Sequence, residues 1–166
     1  QRGYKYHPVD WAVEREFNEV TFQGPLVPLL ENKFFVGSAE QGFIKDYQEL
    51  ESGCYYFAIS PCVRIGDFNR SSFHQPYFLK LELFYKGKNK EDNEIALKKI
   101  MDDAFAFFSQ FKTPTTLKKE DGSFDLEINQ IEVGSYGIRD SAPYFFVYGT
   151  GVAEPRLSQA LGEKND

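Results

Sequence analysis

The stretch Tyr77–Tyr85 (YFLKLELFY) constrains this chain more than any other. Successive side chains of a strand point to opposite faces, so Tyr77, Leu79, Leu81, Leu83 and Tyr85 form one continuous apolar face. Phe78, Lys80, Glu82 and Phe84 fall on the other, which is mixed rather than wet, and Phe78 and Glu82 share it in a way that can line a pocket. A cover for the apolar face follows in the chain. Ile95 to Phe111 reads as a helix whose Leu97, Ile100, Met101, Ala104, Phe105, Phe108 and Phe111 make a wide apolar stripe. The charged run Lys86–Asn93 between them reads as a turn.

Elsewhere the patterning is weaker. Pro8 suits the first turn of a helix carrying Val9, Val13, Phe17 and Val20, which Gly24-Pro25 and Pro28 then end. Leu29 to Tyr47 is mixed, with turns expected at Gly37 and Gly42. Tyr55 to Arg64 is rich in strand formers but interrupted by Pro61, and Gly66 to Gln75 reads as a polar loop. Phe124 to Arg139 reads as two strands folded about Asn129-Gln130; Tyr144–Tyr148 is a short strand, then a Gly-rich turn and a helix over Arg156–Leu161. Strands outnumber helices and no βαβ alternation is visible. The expectation is an α+β fold, an antiparallel sheet flanked by helices.

The 166 residues suit a single domain, and 42% hydrophobic with 17% aromatic content supplies a core and argues against disorder. A net charge of -6 argues against nucleic-acid binding through the overall field. Two cysteines, Cys54 and Cys62, are too few for a disulfide framework or a zinc site and read as reduced thiols of a cytoplasmic protein. No apolar run is long enough to predict a membrane span. A start at Gln1 suits a piece of a longer protein.

Three clusters carry chemistry. Arg64 and His74 flank the polar loop, where cationic or hydrogen-bonding groups can clamp phosphates beside Phe78 and Glu82; a plain hairpin with surface charges fits the same residues. If Asn129-Gln130 is a two-residue turn, Glu127 lies opposite Glu132 with Asp125 on the same face. Facing like charges destabilise a ladder unless a cation neutralises them, and oxygen ligands favour Mg²⁺ or Ca²⁺. A solvated acidic edge is the competing account. Gly149-Thr150-Gly151 runs into Arg156 at a helix start, where the dipole gives a cation little structural motive. Small residues there would let backbone approach a ligand.

Taken in order, these clusters resemble class II aminoacyl-tRNA synthetases. Cys62-Val63-Arg64 through His74-Gln75-Pro76-Tyr77-Phe78 to Glu82 resembles motif 2, and GTGVAEPRL resembles motif 3 with Ala153 in place of its third glycine. FDLEINQIEVGSYGIR resembles the segment before motif 3 in the aspartyl, asparaginyl and lysyl branch, with Asp125, Asn129, Glu132, Val133, Gly134 and Arg139 at matching offsets. FNEVTFQGPLVP is similar to motif 1 with shifted spacing. The chain departs from the pattern at Arg64-Ile65-Gly66, where the motif 2 glutamate is missing and Asp67 lies one place further on; SPCVR there resembles the alanyl enzymes. Gln130 stands where the hairpin glycine is expected, and no anticodon-binding domain is visible.

The resemblance implies activation of an amino-acid carboxylate as an adenylate, with ATP and Mg²⁺ as cofactors. Arg64 and Arg156 would be catalytic, and Arg64, His74, Phe78, Gly149, Gly151 and Arg156 would hold ATP. Asp125 and Glu132 would hold the metal, and Glu82, Ser135 and Arg139 a small or acidic amino acid, with Arg139 favouring an acidic side chain; an edge-strand arginine paired with Asp140 or Glu132 is the competing account. It also implies a homodimer and an acceptor that is tRNA or another molecule. An asparagine synthetase A-type amide ligase and a non-catalytic paralogue are the alternatives.

Overall fold

The computed structural model describes residues 3–67 and 74–162. Seven strands make one sheet: β1 (Tyr4–Tyr6), β5 (Cys54–Val63), β6 (Tyr77–Lys86), β7 (Thr115–Lys118), β8 (Phe124–Ile128), β9 (Ile131–Ser141) and β10 (Tyr144–Glu154). Their order is β1-β5-β6-β10-β9-β8-β7, antiparallel throughout except that β1 runs parallel to β5. A three-stranded sheet of β2 (Ala12–Val13), β3 (Pro28–Leu30) and β4 (Lys33–Phe35) is separate. The helices are α1 (Arg15–Asn18), α2 (Ala39–Lys45), α3 (Lys90–Phe108) and α4 (Arg156–Leu161). The architecture is the expected α+β one.

The alternation in Tyr77–Tyr85 divides the core in two. Leu83 and Tyr85 face α3 and pack with its Leu97, Ile100, Ala104 and Phe108 and with Leu126, Val133, Tyr136 and Val147. Phe84 faces the opposite way, stacked between Phe43 of α2 and Phe146 of β10 with both centroid separations 4.6 Å. Helix α3 begins five residues before the expected Ile95, because Asn89 caps it by accepting from the Asp92 amide at 2.9 Å. The charged run is therefore largely its first turn.

Several expectations give way. The predicted helix from Pro8 is instead strand β2 followed by the single turn α1, whose N-cap Glu14 makes no side-chain cap bond. Val9 and Val13 are still buried. The turn expected at Gly42 is the interior of α2, where glycine leaves room for Val9 to lie against the helix. Pro61 does not interrupt β5. The Val63 N–H points outward to the Val36 carbonyl at 2.9 Å, so the alternation aims the nitrogen of Pro61 the same way, off the ladder with β6. The Gly-rich turn is an irregular stretch within β10, where the pairing with β6 shifts register between Thr150 and Val152. Of the polar loop, residues 68–73 lie outside those described, and Ile65–Asp67 form a short 3-10 turn. The hairpin at Asn129-Gln130 stands as expected, with φ of 53° and 65° at its two turn residues.

Candidate functional site

On the face away from α3, the middle strands open into a cleft of about 520 Å³, within the range of ligand pockets. Its floor follows from register. Glu82 sits between Ala58 of β5 and Thr150 of β10, Lys80 between Ser60 and Ala153, and Phe78 beside Cys62. Arg64, leaving β5, donates Nε to the Gly37 carbonyl at 2.6 Å. Its guanidinium lies 5.4 Å from the Phe78 ring centre and 6.0 Å from that of Phe22. His74 and Gln75 line the same cleft. Arg156, in the first turn of α4, donates Nη1 to Glu132 Oε1 at 3.0 Å.

Helix α2 supplies the groups that close the floor. Its capping box, Ser38 with Gln41, fixes its first turn against the sheet. Ser38 Oγ donates to Glu82 Oε2 at 2.5 Å, and Lys80 Nζ reaches the same oxygen at 2.7 Å. Glu82 is fully buried, and its Oε1 has no hydrogen-bond partner among the described residues. Glu40 accepts from Arg139 Nε at 3.2 Å, and the Arg139 guanidinium lies 4.7 Å from the centre of the Tyr148 ring. Burial, then the neighbouring Glu82, pushes the Glu40 carboxyl above its usual value, with Arg139 and Lys80 opposing. Burial likewise raises the Tyr148 hydroxyl to about 12.

Of the residues singled out from sequence, Arg64, His74, Phe78, Glu132, Ser135, Arg139 and Arg156 line one cleft, drawn from four separate segments. Glu82 lies beneath it, under Lys80. Asp125 does not line it: its carboxylate is buried beside Lys119, with Nζ 3.4 Å from Oδ2. Gly149 and Gly151 turn their missing side chains away from the cleft. A Cβ on Gly149 would lie 2.7 Å from Ile100 and Tyr136, and one on Gly151 would collide with Leu81, so both serve packing on the α3 side. Among the described residues no three His, Cys, Asp or Glu converge on a metal position.

Sequence reading did not pick out Glu40, Lys119, Asp121, Tyr148 or Phe22 as site residues. Ser38-x-x-Gln41 was the available signal for α2, and hence for Glu40 on its first turn. The segment Thr21–Gly24, similar to part of motif 1, also lines the cleft, tied by Gln41 Nε2 to Thr21 Oγ1 at 2.7 Å. Among the described residues, no helix is long and apolar enough to cross a membrane.

No family model matches the sequence, and no curated protein matches it. Solved structures do. The cytoplasmic serine-tRNA ligase of Naegleria fowleri, solved in complex with AMP, superposes with a TM-score of 0.69 at 14% identity, over 97% of this chain and 54% of that one. The pyrrolysyl-tRNA synthetase of Desulfitobacterium hafniense gives 0.66 at 14%, over 95% and 62%, and a second structure of it, PylSc, gives 0.70 at 14%, over 93% and 61%. The fold is thus that of a class II synthetase catalytic core, and the chain spans little more than half the length of these chains.

Proposed function

We propose that the cleft binds ATP and an amino acid and joins them as an aminoacyl-adenylate, in the cytoplasm, for transfer to tRNA or another acceptor. One observation carries this: Arg64 and Arg156, which leave β5 and open α4, face one cleft together with Phe78 and His74. Two guanidinium groups beside an aromatic ring suit a nucleotide triphosphate.

In this reading the amino-acid carboxylate oxygen attacks the α-phosphorus, a new P–O bond forms, and the bond to the β-phosphate oxygen breaks to release pyrophosphate. Arg64, already oriented by the Gly37 carbonyl, neutralises charge accumulating at the α-phosphate. His74 and Arg156 hold the leaving phosphates, and Phe78 offers its ring to the base. Glu82, Ser135 and Arg139 serve the amino acid. Catalysis needs no nucleophilic side chain, only positioning and fixed charge.

Mg²⁺ carried by a triphosphate takes most of its ligands from phosphate and water and needs one or two carboxylates. Glu132, on the cleft wall, is the carboxylate that would hold it. Bound there, the ion would offset phosphate charge as the pyrophosphate leaves. We further propose a homodimer. A non-catalytic paralogue is the second reading, favoured by Ile65-Gly66 where the motif 2 glutamate would stand.

Amino-acid-dependent exchange of pyrophosphate into ATP tests the proposal. Arg64→Ala, Glu132→Ala and Arg156→Ala should each lower the rate about 10²–10³-fold while the protein stays folded. No exchange with any amino acid, in a folded wild type that binds MgATP, would leave the non-catalytic paralogue as the better account.

A further inference from the structure

Around the cleft, the ion pairs Lys80–Glu82, Arg139–Glu40 and Lys119–Asp125 each set a buried acid behind a more exposed cation. Arg156–Glu132 reverses that order. The side chain of the acid is 41% exposed and that of the cation 26%. The carboxylate therefore stands on the open side of the pair. Its Oε1, 3.0 Å from Nη1, takes up a guanidinium N–H that a phosphate oxygen would otherwise use.

Glu132 has a physical reason to keep this partner. The β8–β9 register sets Glu127 directly opposite it, and like charges facing each other across a ladder repel. Arg156 offsets that repulsion, and withdrawing it leaves Glu132 facing Glu127 with one cation fewer. The helix itself has other anchors. Leu157 and Ala160 of α4 are buried, the Asn129 side-chain amide donates to the Ala160 carbonyl at 2.8 Å, and the Ser158 amide donates to Glu154 at 3.2 Å. A pair partly in solvent adds little to such a seat. Its larger consequence is for what each partner can bind.

We infer that Arg156 and Glu132 form a latch that two ligands open for each other. An anion that takes Arg156 releases Glu132, and a cation that takes Glu132 releases Arg156. The inference deepens the proposed function and rests on it for what enters the cleft, a polyphosphate and Mg²⁺. Coupling of this kind is reciprocal: the factor by which the cation improves anion binding is the factor by which the anion improves cation binding. A polyphosphate arriving without metal meets the closed latch, so the cleft selects nucleotide that already carries its ion.

Calorimetry on the full chain, with ligands that do not turn over, tests this. Inorganic tripolyphosphate, in the presence of a chelator, should bind Glu132→Gln and Glu132→Ala about 3–10-fold more tightly than wild type, the reach of a partly exposed charged hydrogen bond. Mg²⁺ alone should bind Arg156→Gln more tightly than wild type by a similar factor, about 3–10-fold. In an Arg156→Gln background, Glu132→Gln should change tripolyphosphate affinity by less than about twofold, since no latch is left to open. Weaker tripolyphosphate binding by both folded Glu132 variants would make the pair a staple that aligns Arg156, and overturns the inference. Equal tightening with and without Arg156 would be long-range repulsion alone, and overturns it as well. If the variants respond as expected while the wild type supports no pyrophosphate exchange with any amino acid, the latch stands and the adenylation reading fails.

Discussion

Behind the sheet, where α3 lies, Leu83, Ile100, Phe108, Leu126 and Val147 fill the space with carbon and no charge is buried among them. In front of it, the same strand β6 buries Glu82 beside Lys80, and α2 sets Glu40 against Arg139. The two faces are alternate residues of the same strands. The rear face returns hydrophobic free energy for every side chain removed from water. The front face buries ions, and a buried pair is often no better for stability than apolar residues of the same volume. Charge retained where carbon would hold the fold as well speaks for a ligand.

Breaking the rear face should give the largest effect. Phe108→Ala removes a fully buried ring and should destabilise by about 3–5 kcal/mol in chemical denaturation, with nucleotide affinity in the surviving folded fraction unaltered. An equal loss of MgATP binding would show that the faces are not independent. On the front face, Lys80→Met leaves Glu82 buried with, among the described residues, only Ser38 for a partner. That should cost about 2–3 kcal/mol at neutral pH, somewhat below the usual figure for breaking a buried pair because Lys80 retains some solvent contact. A neutral or stabilising Lys80→Met would mean that Glu82 is content without its cation.

Titration sharpens the contrast further. Glu40, with its folded value raised above an ordinary 4.5, must be ionised at a cost once the solution passes that value. Between the unfolded and the folded values the native state holds more protons, so stability falls as pH rises through that window and then levels off. Glu40→Gln should flatten this slope in melts taken from about pH 4 upward, whereas rear-face variants should keep it. The smallest effect belongs to the β8–β9 turn, where Gln130 adopts a φ of 65°. Gln130→Gly relieves a conformation that side chains disfavour and should stabilise by about 0.5–1 kcal/mol; a loss of stability would mean that the glutamine side chain is itself bound.

The two faces also differed in how far the sequence revealed them. Strand β6, the stripe of α3 and the Asn129-Gln130 turn are local patterns, and a period of two, a period of 3.6 and a pair of turn residues announced them before any contact was known. The front face comes from residues distant in the chain. Arg139 and Glu40 are separated by 99 positions and Ser38 and Glu82 by 44, and no local periodicity registers such a meeting. The order of three short motifs brought Arg64, His74, Phe78, Glu132 and Arg156 to attention, and the cleft contains all of them. Glycine was the least legible residue. Gly149 and Gly151 looked like room for a ligand and proved to be room for Ile100, Tyr136 and Leu81. Gly42 looked like a turn because its packing partner, Val9, lies far back in the chain.

Pro61 carries a consequence for how the molecule behaves in a crowd. Beyond β1, the outer side of β5 has, among the described residues, no strand beside it until Val63 meets Val36, and the outward alternation brings Ile59 and Pro61 to that gap. Ile59, Tyr77 and Leu79, all about half exposed or more, lie on the same surface and invite association. A visiting strand that sought to extend the sheet there would find an N–H at Ile59 and none at Pro61, with a ring standing where its carbonyl should dock. The proline thus withholds a ladder hydrogen bond where exposed carbon and unpaired backbone coincide, which disfavours copies of the chain zipping together along that edge.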